Sequence, residues 1–252
     1  MKSIKAVFWD VDGTLADTEM DGHRIAFNQA FNEFNLNWNW DISLYADLLE
    51  ITGGVNRIKH YADTICLNMD ANTASQIHHS KQTFYIHLVE NGVISLRVGV
   101  KRLIGEIQKE GIEQWIVTTS SKRAVDSLIR KQFDLSDNPF SGVISGDDVK
   151  LKKPSPEAYL KAINLCNYES SEIIVIEDSL PGYSSATKSN LNTIMTLTPW
   201  NKTPIDKFIN SFLIVDSLGD QNTKSLIYKP SSQLIDYISF KYIRTTLEEH
   251  KL

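Results

Sequence analysis

Asp10 and Asp12 are two carboxylates separated by one residue, directly after a short apolar run at residues 4–9. In an extended chain, residues i and i+2 face the same side, so both carboxylates face one spot. Gly13 then allows the chain to turn sharply. Two crowded carboxylates need a cation between them or a shared proton. Mg²⁺, which prefers oxygen ligands and keeps some of its water, suits such a pair.

Two other interpretations of this acidic pair are open at this point. One is a calcium loop of the EF-hand kind, but that loop has its glycine at position six. Gly13 stands at position four counted from Asp10. The other is an ordinary acidic turn after a strand, which the pair alone does not exclude.

Three further polar clusters favour chemistry over a plain turn. Residues 118–121 supply four hydroxyls after an apolar run, and Lys153 lies in the segment Lys-Lys-Pro-Ser-Pro. Glu177 and Asp178 follow a wholly apolar run. A nucleophile, a metal that offsets charge and donors for the equatorial oxygens are the requirements of phosphoryl transfer.

A parallel sheet would bring these clusters together. Short apolar runs occupy residues 4–9, 115–117, 142–144 and 173–176, with further candidates at 193–197 and 212–215. Helical patterns at residues 99–109, 122–132 and 155–166 separate them. Such alternation predicts an α/β fold with buried parallel strands. Ligand sites of that fold lie at the carboxyl ends of its strands, where all four clusters are expected.

The predicted domains follow from where this alternation stops. Residues 1–18 and 94–225 are expected to form the α/β core. Residues 19–93 are rich in helical patterns without a convincing strand, which predicts a helical cap inserted after the first strand, above the active site. Residues 226–252 are predicted to form a C-terminal helical extension of one or two helices, docked on the core or on a partner subunit.

Composition narrows the functional class. The chain has 252 residues and a net charge of −5, which gives no general reason to expect nucleic-acid binding. Its two cysteines, far apart and without a partner motif, predict neither a disulfide framework nor a zinc site. The first apolar run is too short for a signal peptide, and no stretch reaches the length of a membrane span. We therefore expect a cytoplasmic protein without a membrane partner.

The four clusters, in this order and spacing, resemble the motifs of the haloacid dehalogenase superfamily. They match its phosphatase and phosphomutase branch, in which a helical cap follows the first strand of a Rossmann-like core. The matching segments are Asp-Val-Asp-Gly-Thr-Leu at residues 10–15, Thr119 with the two serines after it, Lys153-Pro154, and Glu-Asp-Ser at residues 177–179. The resemblance extends over about residues 4–220.

The resemblance implies a role for each motif residue. Asp10 would attack phosphorus and form an aspartyl-phosphate, and Asp12 would protonate the leaving oxygen and then activate water. Thr119, preferred over Thr118 because of its offset from the following Ser-Ser-Lys-Arg, and Lys153 would hold phosphoryl oxygens. An aspartate at position 12 favours phosphatases over the dehalogenases and the phosphate-transporting ATPases.

The implied cofactor is Mg²⁺. Asp10, the backbone carbonyl of Asp12 and Asp178 would be its protein ligands, and Glu177 would act beside them directly or through water.

Residues 17–24, 53–58, 146–149 and 152–154 further resemble the CbbY-like group, which includes phosphatases of xylulose 1,5-bisphosphate, an inhibitory by-product of Rubisco. Val55 stands where that group often has lysine, which removes one phosphate contact, and Val98 stands where it often has proline. The resemblance implies these substrate-binding residues: Glu19, His23, Arg24, Gly54, Arg57 and Ser120.

The sequence therefore predicts a phosphatase of a small phosphorylated metabolite, acting as a monomer or, alternatively, a dimer. A phosphomutase similar to β-phosphoglucomutase would use the same motif residues and stays open. A non-catalytic binding protein on this fold would have lost its nucleophile, whereas Asp10 is present.

Overall fold

The computed structural model describes residues 3–51 and 53–250, without the side chain of Leu135. The predicted domains also include residues 1, 2, 52, 251 and 252, which lie outside the described residues. The chain forms two compact units, one of residues 1–16 with 95–252 and one of residues 17–94. The residues predicted to form a separate C-terminal extension are part of the first unit.

The first unit is built on one mixed sheet, which confirms the predicted α/β class. Six strands run parallel, and the last two are antiparallel. Their order across the sheet is β3-β2-β1-β4-β5-β6-β7-β8. The strands are β1 (Ala6–Trp9), β2 (Glu113–Val117), β3 (Gly142–Ile144), β4 (Ile173–Glu177), β5 (Asn192–Thr196), β6 (Leu213–Val215), β7 (Ser225–Lys229) and β8 (Gln233–Ile235).

Helices connect the parallel strands and form the second unit. Helix α6 starts where Ser121 accepts a hydrogen bond from the Ala124 amide, and α8 starts where Ser179 accepts one from Gly182. None of the described helices has the length and apolar character needed to cross a lipid bilayer. The helices are α1 (Arg24–Glu33), α2 (Ile42–Leu48), α3 (Gly54–Thr64), α4 (Ala71–Glu90), α5 (Val100–Lys109), α6 (Lys122–Gln132), α7 (Glu157–Cys166), α8 (Leu180–Lys188) and α9 (Phe240–His250).

Strand β1 lies in the middle of the parallel part, between β2 and β4. All four of its residues are buried, as expected for a strand covered on both faces. Phe8 stacks on Tyr159 of α7 with ring centroids 6.4 Å apart and packs edge-on against Trp115 of β2. This apolar packing fixes the end of β1, and therefore the position of Asp10.

The described part of the second unit, residues 17–94, contains a π-helical turn at Glu19–His23 followed by helices α1 to α4. Phe27, Ala30 and Phe31 are buried, as their helical spacing predicts. Trp40 packs against Phe27 and Phe31 at centroid distances of 4.8 and 4.7 Å. An aromatic core therefore holds this unit together, while its role as a cap stays a prediction.

The expectation that the chain is helical beyond residue 225 is wrong for β7 and β8. Burial alternates at the start of β7, where Ser225 and Ile227 are buried and Leu226 between them is half-buried, as in a strand. Pro230 and two serines then turn the chain back into β8. Leu234, inside the range predicted to be helical, belongs to a largely exposed strand. Only α9 is helical.

Helix α5 anchors this C-terminal segment to the core. The Arg102 guanidinium donates hydrogen bonds to the carbonyls of Leu218, Gly219 and Ile238 at 2.9–3.1 Å. Glu106 accepts a bond from the Phe240 amide, at the start of α9, at 2.8 Å. The segment therefore docks on its own core.

Candidate active site

The carboxyl ends of β1, β2 and β4 bring the predicted motif residues to one point. The Asp10 amide donates to the carbonyl of Ile176 at 3.1 Å, which places Asp10 beside Glu177. Asp10 is only 6% exposed, and Glu177 is fully buried. Oxygens of Asp10, Glu177 and Asp178 converge within 4.8 Å of one another. Adjacent parallel strands in register produce this convergence.

Lys153 reaches the same point from the segment before α7. Its Nζ lies 2.6 Å from Asp10 Oδ1 and 2.6 Å from Glu177 Oε1. It also donates to the carbonyl of Val117 at the end of β2, at 2.8 Å. These three acceptors match the three protons of an ammonium group. Lys153 is therefore held in one orientation against the carboxylate of Asp10.

The Glu177 carboxylate accepts hydrogen bonds from several donors of the first unit. Its Oε1 accepts a hydrogen bond from the Tyr159 hydroxyl at 2.7 Å in addition to the one from Lys153. Its Oε2 accepts a long bond from the Asp178 amide at 3.3 Å. A Cβ at Gly182 would lie 2.0 Å from this carboxylate, so the first turn of α8 requires glycine.

Asp178 differs from Glu177, because its Oδ1 is buried and has no hydrogen-bond partner among the described residues. The side-chain amide of Asn201 donates to the backbone carbonyl of Asp178 at 2.7 Å and fixes the turn after β4. Gly13, at φ +84°, lies so close that a Cβ there would be 2.1 Å from Asp178 Oδ2. A buried carboxylate oxygen without a donor is costly unless a ligand completes it.

Burial dominates the electrostatics of the site. Burial, followed by repulsion from Glu177, raises the pKa of Asp10 to about 8. Burial, with Asp10 and Glu177 next, raises the pKa of Asp178 well above its usual value. Burial alone would lower the pKa of Lys153, but attraction to Asp10 and Glu177 outweighs it and the net direction is upward. The lysine therefore stays charged.

These residues fit a divalent cation. Three carboxylates and one ammonium carry a formal charge of −2 when all are ionised. The donors are hard oxygens, and one of them, Asp178 Oδ1, is otherwise unsatisfied. Asp10 and Asp178 would hold the ion, with Glu177 beside them. The chemistry that a bound cation supplies is neutralisation of phosphoryl oxygens.

Asp12 lies next to the hydroxyl cluster after β2. Ser120 Oγ donates a hydrogen bond to Asp12 Oδ2. The Thr118 hydroxyl is buried and accepts a bond from the Ser120 amide at 3.1 Å, whereas Thr119 is partly exposed. The turn is close-packed, because a Cβ at Gly146 would lie 2.2 Å from the Thr119 carbonyl. Ser120, predicted to bind substrate, therefore contacts the predicted acid-base residue.

The predicted substrate-binding residues of the helical unit form their own polar network. Glu19 accepts a 2.7 Å hydrogen bond from Tyr45, which in turn accepts one from Arg57 at 3.2 Å. Arg57 also donates to the carbonyls of Leu48 and Ile51. Arg57 therefore stabilises the conformation of the chain at the end of α2 and just after it.

The remaining predicted residues of this unit lie around α1 and α4. Arg24 donates to the carbonyl of Trp40 at 3.3 Å. His23 Nδ1 lies 2.8 Å from the ammonium of Lys81, which is buried and was not predicted. Gly54 is closely packed, since a Cβ there would lie 2.3 Å from the ring of His78.

Sequence reasoning also missed three residues of the core site. Tyr159 carried no signal beyond an apolar helix position, and Asn201 lies in a loop outside the motifs. Arg97 donates to the carbonyls of Gly13, Thr196 and Asp216 and so braces the turn after β1. An arginine next to a predicted helix start gave no indication of this role.

Comparison with known proteins identifies the class. The profile of the haloacid dehalogenase-like hydrolases matches residues 4–190, and the chain belongs to this family. Within it, the chain is CbbY-like and is a phosphoric monoester hydrolase. Protein CbbY of Cupriavidus necator, encoded on a plasmid, is 33% identical over 225 residues, which cover 86% of this chain and 87% of that protein.

Solved structures agree with this assignment. The crystal structure of CbbY from Rhodobacter sphaeroides in complex with phosphate superimposes with a TM-score of 0.74 at 33% identity, covering 85% of this chain and 94% of that one. A mutant of the same protein in complex with xylulose 1,5-bisphosphate gives a TM-score of 0.73 at 32% identity, with the same coverage.

Proposed function

We propose that the protein is a Mg²⁺-dependent sugar-phosphate phosphatase that works through an aspartyl-phosphate on Asp10. Its substrate is xylulose 1,5-bisphosphate or a similar small sugar bisphosphate or monophosphate. The observation that carries the proposal is the junction of Asp10, Lys153 and Asp178 at the ends of β1 and β4. The substrate assignment is supported by the xylulose 1,5-bisphosphate complex of a relative with 32% identity.

In this mechanism, an Asp10 oxygen attacks phosphorus while the bond to the sugar oxygen breaks. Asp12 gives its proton to that leaving oxygen. Asp12 then takes a proton from a water molecule, which attacks the phosphorus and releases inorganic phosphate and free Asp10. Lys153 orients Asp10 in the substrate-free site. When substrate displaces one of its three acceptors, Lys153, together with Thr119, donates to the phosphoryl oxygens.

We assign recognition of the sugar to the helical unit. Glu19 supplies an acceptor that is held by Tyr45, and His23 supplies an imidazole ring beside the Lys81 ammonium. Arg24 and Arg57 each donate a hydrogen bond to a backbone carbonyl of this unit and thereby stabilise its conformation. Val55, which stands in place of a basic residue common in the CbbY-like group, gives a reason to test several sugars.

The defining experiment measures phosphate release from sugar mono- and bisphosphates with Mg²⁺. Xylulose 1,5-bisphosphate and ribulose 1,5-bisphosphate form the critical pair. Asp10→Asn is expected to abolish turnover, because the amide is a poor nucleophile. Asp206→Asn, at an exposed aspartate outside the site, is the matched control and should match the wild type.

This substrate panel tests the substrate, the nucleophile and the reaction type separately. Strong preference for xylulose 1,5-bisphosphate supports the proposed substrate. Near-wild-type turnover by Asp10→Asn contradicts Asp10 as nucleophile. Conversion of β-glucose 1-phosphate into glucose 6-phosphate, without net phosphate release, would identify a mutase instead.

We also propose a monomeric, cytoplasmic enzyme. The free state of Cys66 and Cys166 supports the cytoplasmic location. Sedimentation of the purified protein tests the oligomeric state.

A further inference from the structure

We propose that Tyr159 is a positioning residue, whose buried hydroxyl fixes the ammonium of Lys153 against Asp10 by acting through Glu177. The inference rests on the proposed function only in taking Asp10 as the nucleophile. Tyr159 belongs to none of the motifs. It lies on α7, and its side chain contacts Glu177 of the site.

Tyr159 is held rigidly. It is fully buried, and its ring stacks on Phe8 with an interplanar angle of 8°. Its hydroxyl donates to Glu177 Oε1 at 2.7 Å, the same oxygen that accepts from Lys153 at 2.6 Å. The ring also faces the Lys153 ammonium, 5.1 Å from the ring centroid. One residue therefore fixes both the lysine and the carboxylate that holds it.

Glu177 is oriented towards the lysine. Its Oε1 has two donors, its Oε2 accepts from the Asp178 amide, and the close approach of Gly182 restricts its movement. Asp178 has the opposite character, because its Oδ1 is buried without a described donor. This contrast assigns cation binding to Asp178 and Asp10, and assigns lysine positioning to Glu177.

The effect on chemistry follows from the bonds of Lys153. All three ammonium protons have acceptors, and one acceptor is Asp10 Oδ1. Without the tyrosine hydroxyl, Glu177 Oε1 keeps only its bond to Lys153, so the ammonium is no longer held at a fixed point. The Asp10 carboxylate then loses its fixed orientation, which slows attack on phosphorus more than it weakens substrate binding.

Tyr159→Phe tests this proposal, because it removes the hydroxyl and keeps the stacked ring. Tyr168→Phe is the matched control. The Tyr168 hydroxyl also donates to a carboxylate, Glu113 Oε1 at 3.0 Å, but Glu113 lies at the opposite end of β2 from the site. We expect Tyr159→Phe to lower kcat by roughly tenfold or more at an unchanged KM, and the control to match the wild type.

Two readouts besides turnover separate positioning from other roles. Calorimetric titration with Mg²⁺ should give the same affinity for Tyr159→Phe as for the wild type. In a metal-free crystal structure of the variant, the contact between Lys153 Nζ and Asp10 Oδ1 should lengthen beyond hydrogen-bond distance.

Three results would overturn the inference: a kcat equal to that of the control, a parallel loss of Mg²⁺ affinity, or an unmoved lysine. If the wild type releases phosphate from no sugar phosphate, the proposed function fails, while the lysine position in the variant still decides this inference.

Discussion

Asp10 combines two demands at the scale of a single residue. In the proposed mechanism it has to be buried beside other carboxylates to hold a cation, and it has to be ionised to attack phosphorus. Burial and Glu177 work against ionisation and raise its pKa to about 8, while Lys153 works in favour of it. A bound cation would add to the effect of Lys153, so the proposed mechanism couples metal binding to activation of the nucleophile.

The raised pKa of Asp10 predicts how the stability of the metal-free protein depends on pH. The pKa rises from the ordinary value of 3.8 to about 8 on folding, so the folded protein binds more protons between these values. Stability therefore falls as pH rises through this window. Denaturant unfolding in chelator should show this fall.

Asp10→Asn should make that fall shallower, because the amide does not titrate. Asp178, whose pKa is also raised, still titrates in the variant, so part of the dependence of stability on pH remains. An identical pH slope in wild type and variant would contradict the raised pKa of Asp10.

Gly13→Ala should disrupt the site by contact as well as by backbone strain. A positive φ of +84° at a non-glycine residue costs about 1–2 kcal/mol, and the added Cβ would meet Asp178 Oδ2 at 2.1 Å. We expect lower stability and weaker Mg²⁺ binding, measured by unfolding and calorimetry.

Gly111→Ala is the matched control, because its φ is +69° and a Cβ there meets no described atom within 4 Å. It should lose a similar amount of stability and keep its Mg²⁺ affinity. Equal Mg²⁺ affinities in both variants would show that the contact with Asp178 is unimportant.

At the scale of elements, α5 is the helix that organises the end of the chain. Arg102 donates to carbonyls before β7 and to that of Ile238 before α9, and Glu106 accepts from the amide at the start of α9. Arg102 also lies 4.5 Å from the Tyr237 ring centroid. The antiparallel strands β7 and β8 thereby extend a sheet that is otherwise parallel.

Arg102→Met should destabilise the first unit by about 1.5–3 kcal/mol, because three carbonyls lose a charged donor. Thermal unfolding measures the loss. Arg130→Met, at an exposed arginine on α6, is the control and should change stability by no more than about 0.5 kcal/mol. Wild-type stability in Arg102→Met would mean that the apolar side of α9 is sufficient for docking.

At the scale of the whole molecule, cation binding should stabilise the fold. A ligand at 100 times its dissociation constant stabilises by about 2.7 kcal/mol, which corresponds to a rise in Tm of roughly 5–10 °C for a protein of this size. Thermal unfolding with Mg²⁺ and with chelator tests this.

The same Tm shift should be absent in Asp178→Asn, which removes the carboxylate with the unsatisfied oxygen. An equal shift in wild type and variant would place the cation elsewhere.

The sequence alone determined the strands that carry the chemistry and the residues at their ends. Buried parallel strands give uninterrupted apolar runs, and a charged residue directly after such a run, such as Asp10 or Glu177, is a local signal. The same local logic failed beyond residue 225, because a short exposed strand such as β8 has no long apolar run and shares residues with a helical pattern.

Only the tertiary structure decided which groups touch. Tyr159, Asn201 and Arg97 act through contacts between residues far apart in the chain, and no spacing rule reports such contacts. The structure also divided the acidic pair at the end of β4 into a carboxylate enclosed by donors, Glu177, and one left unsatisfied, Asp178. That division depends on burial and donor geometry, which arise when the strands and α7 pack together.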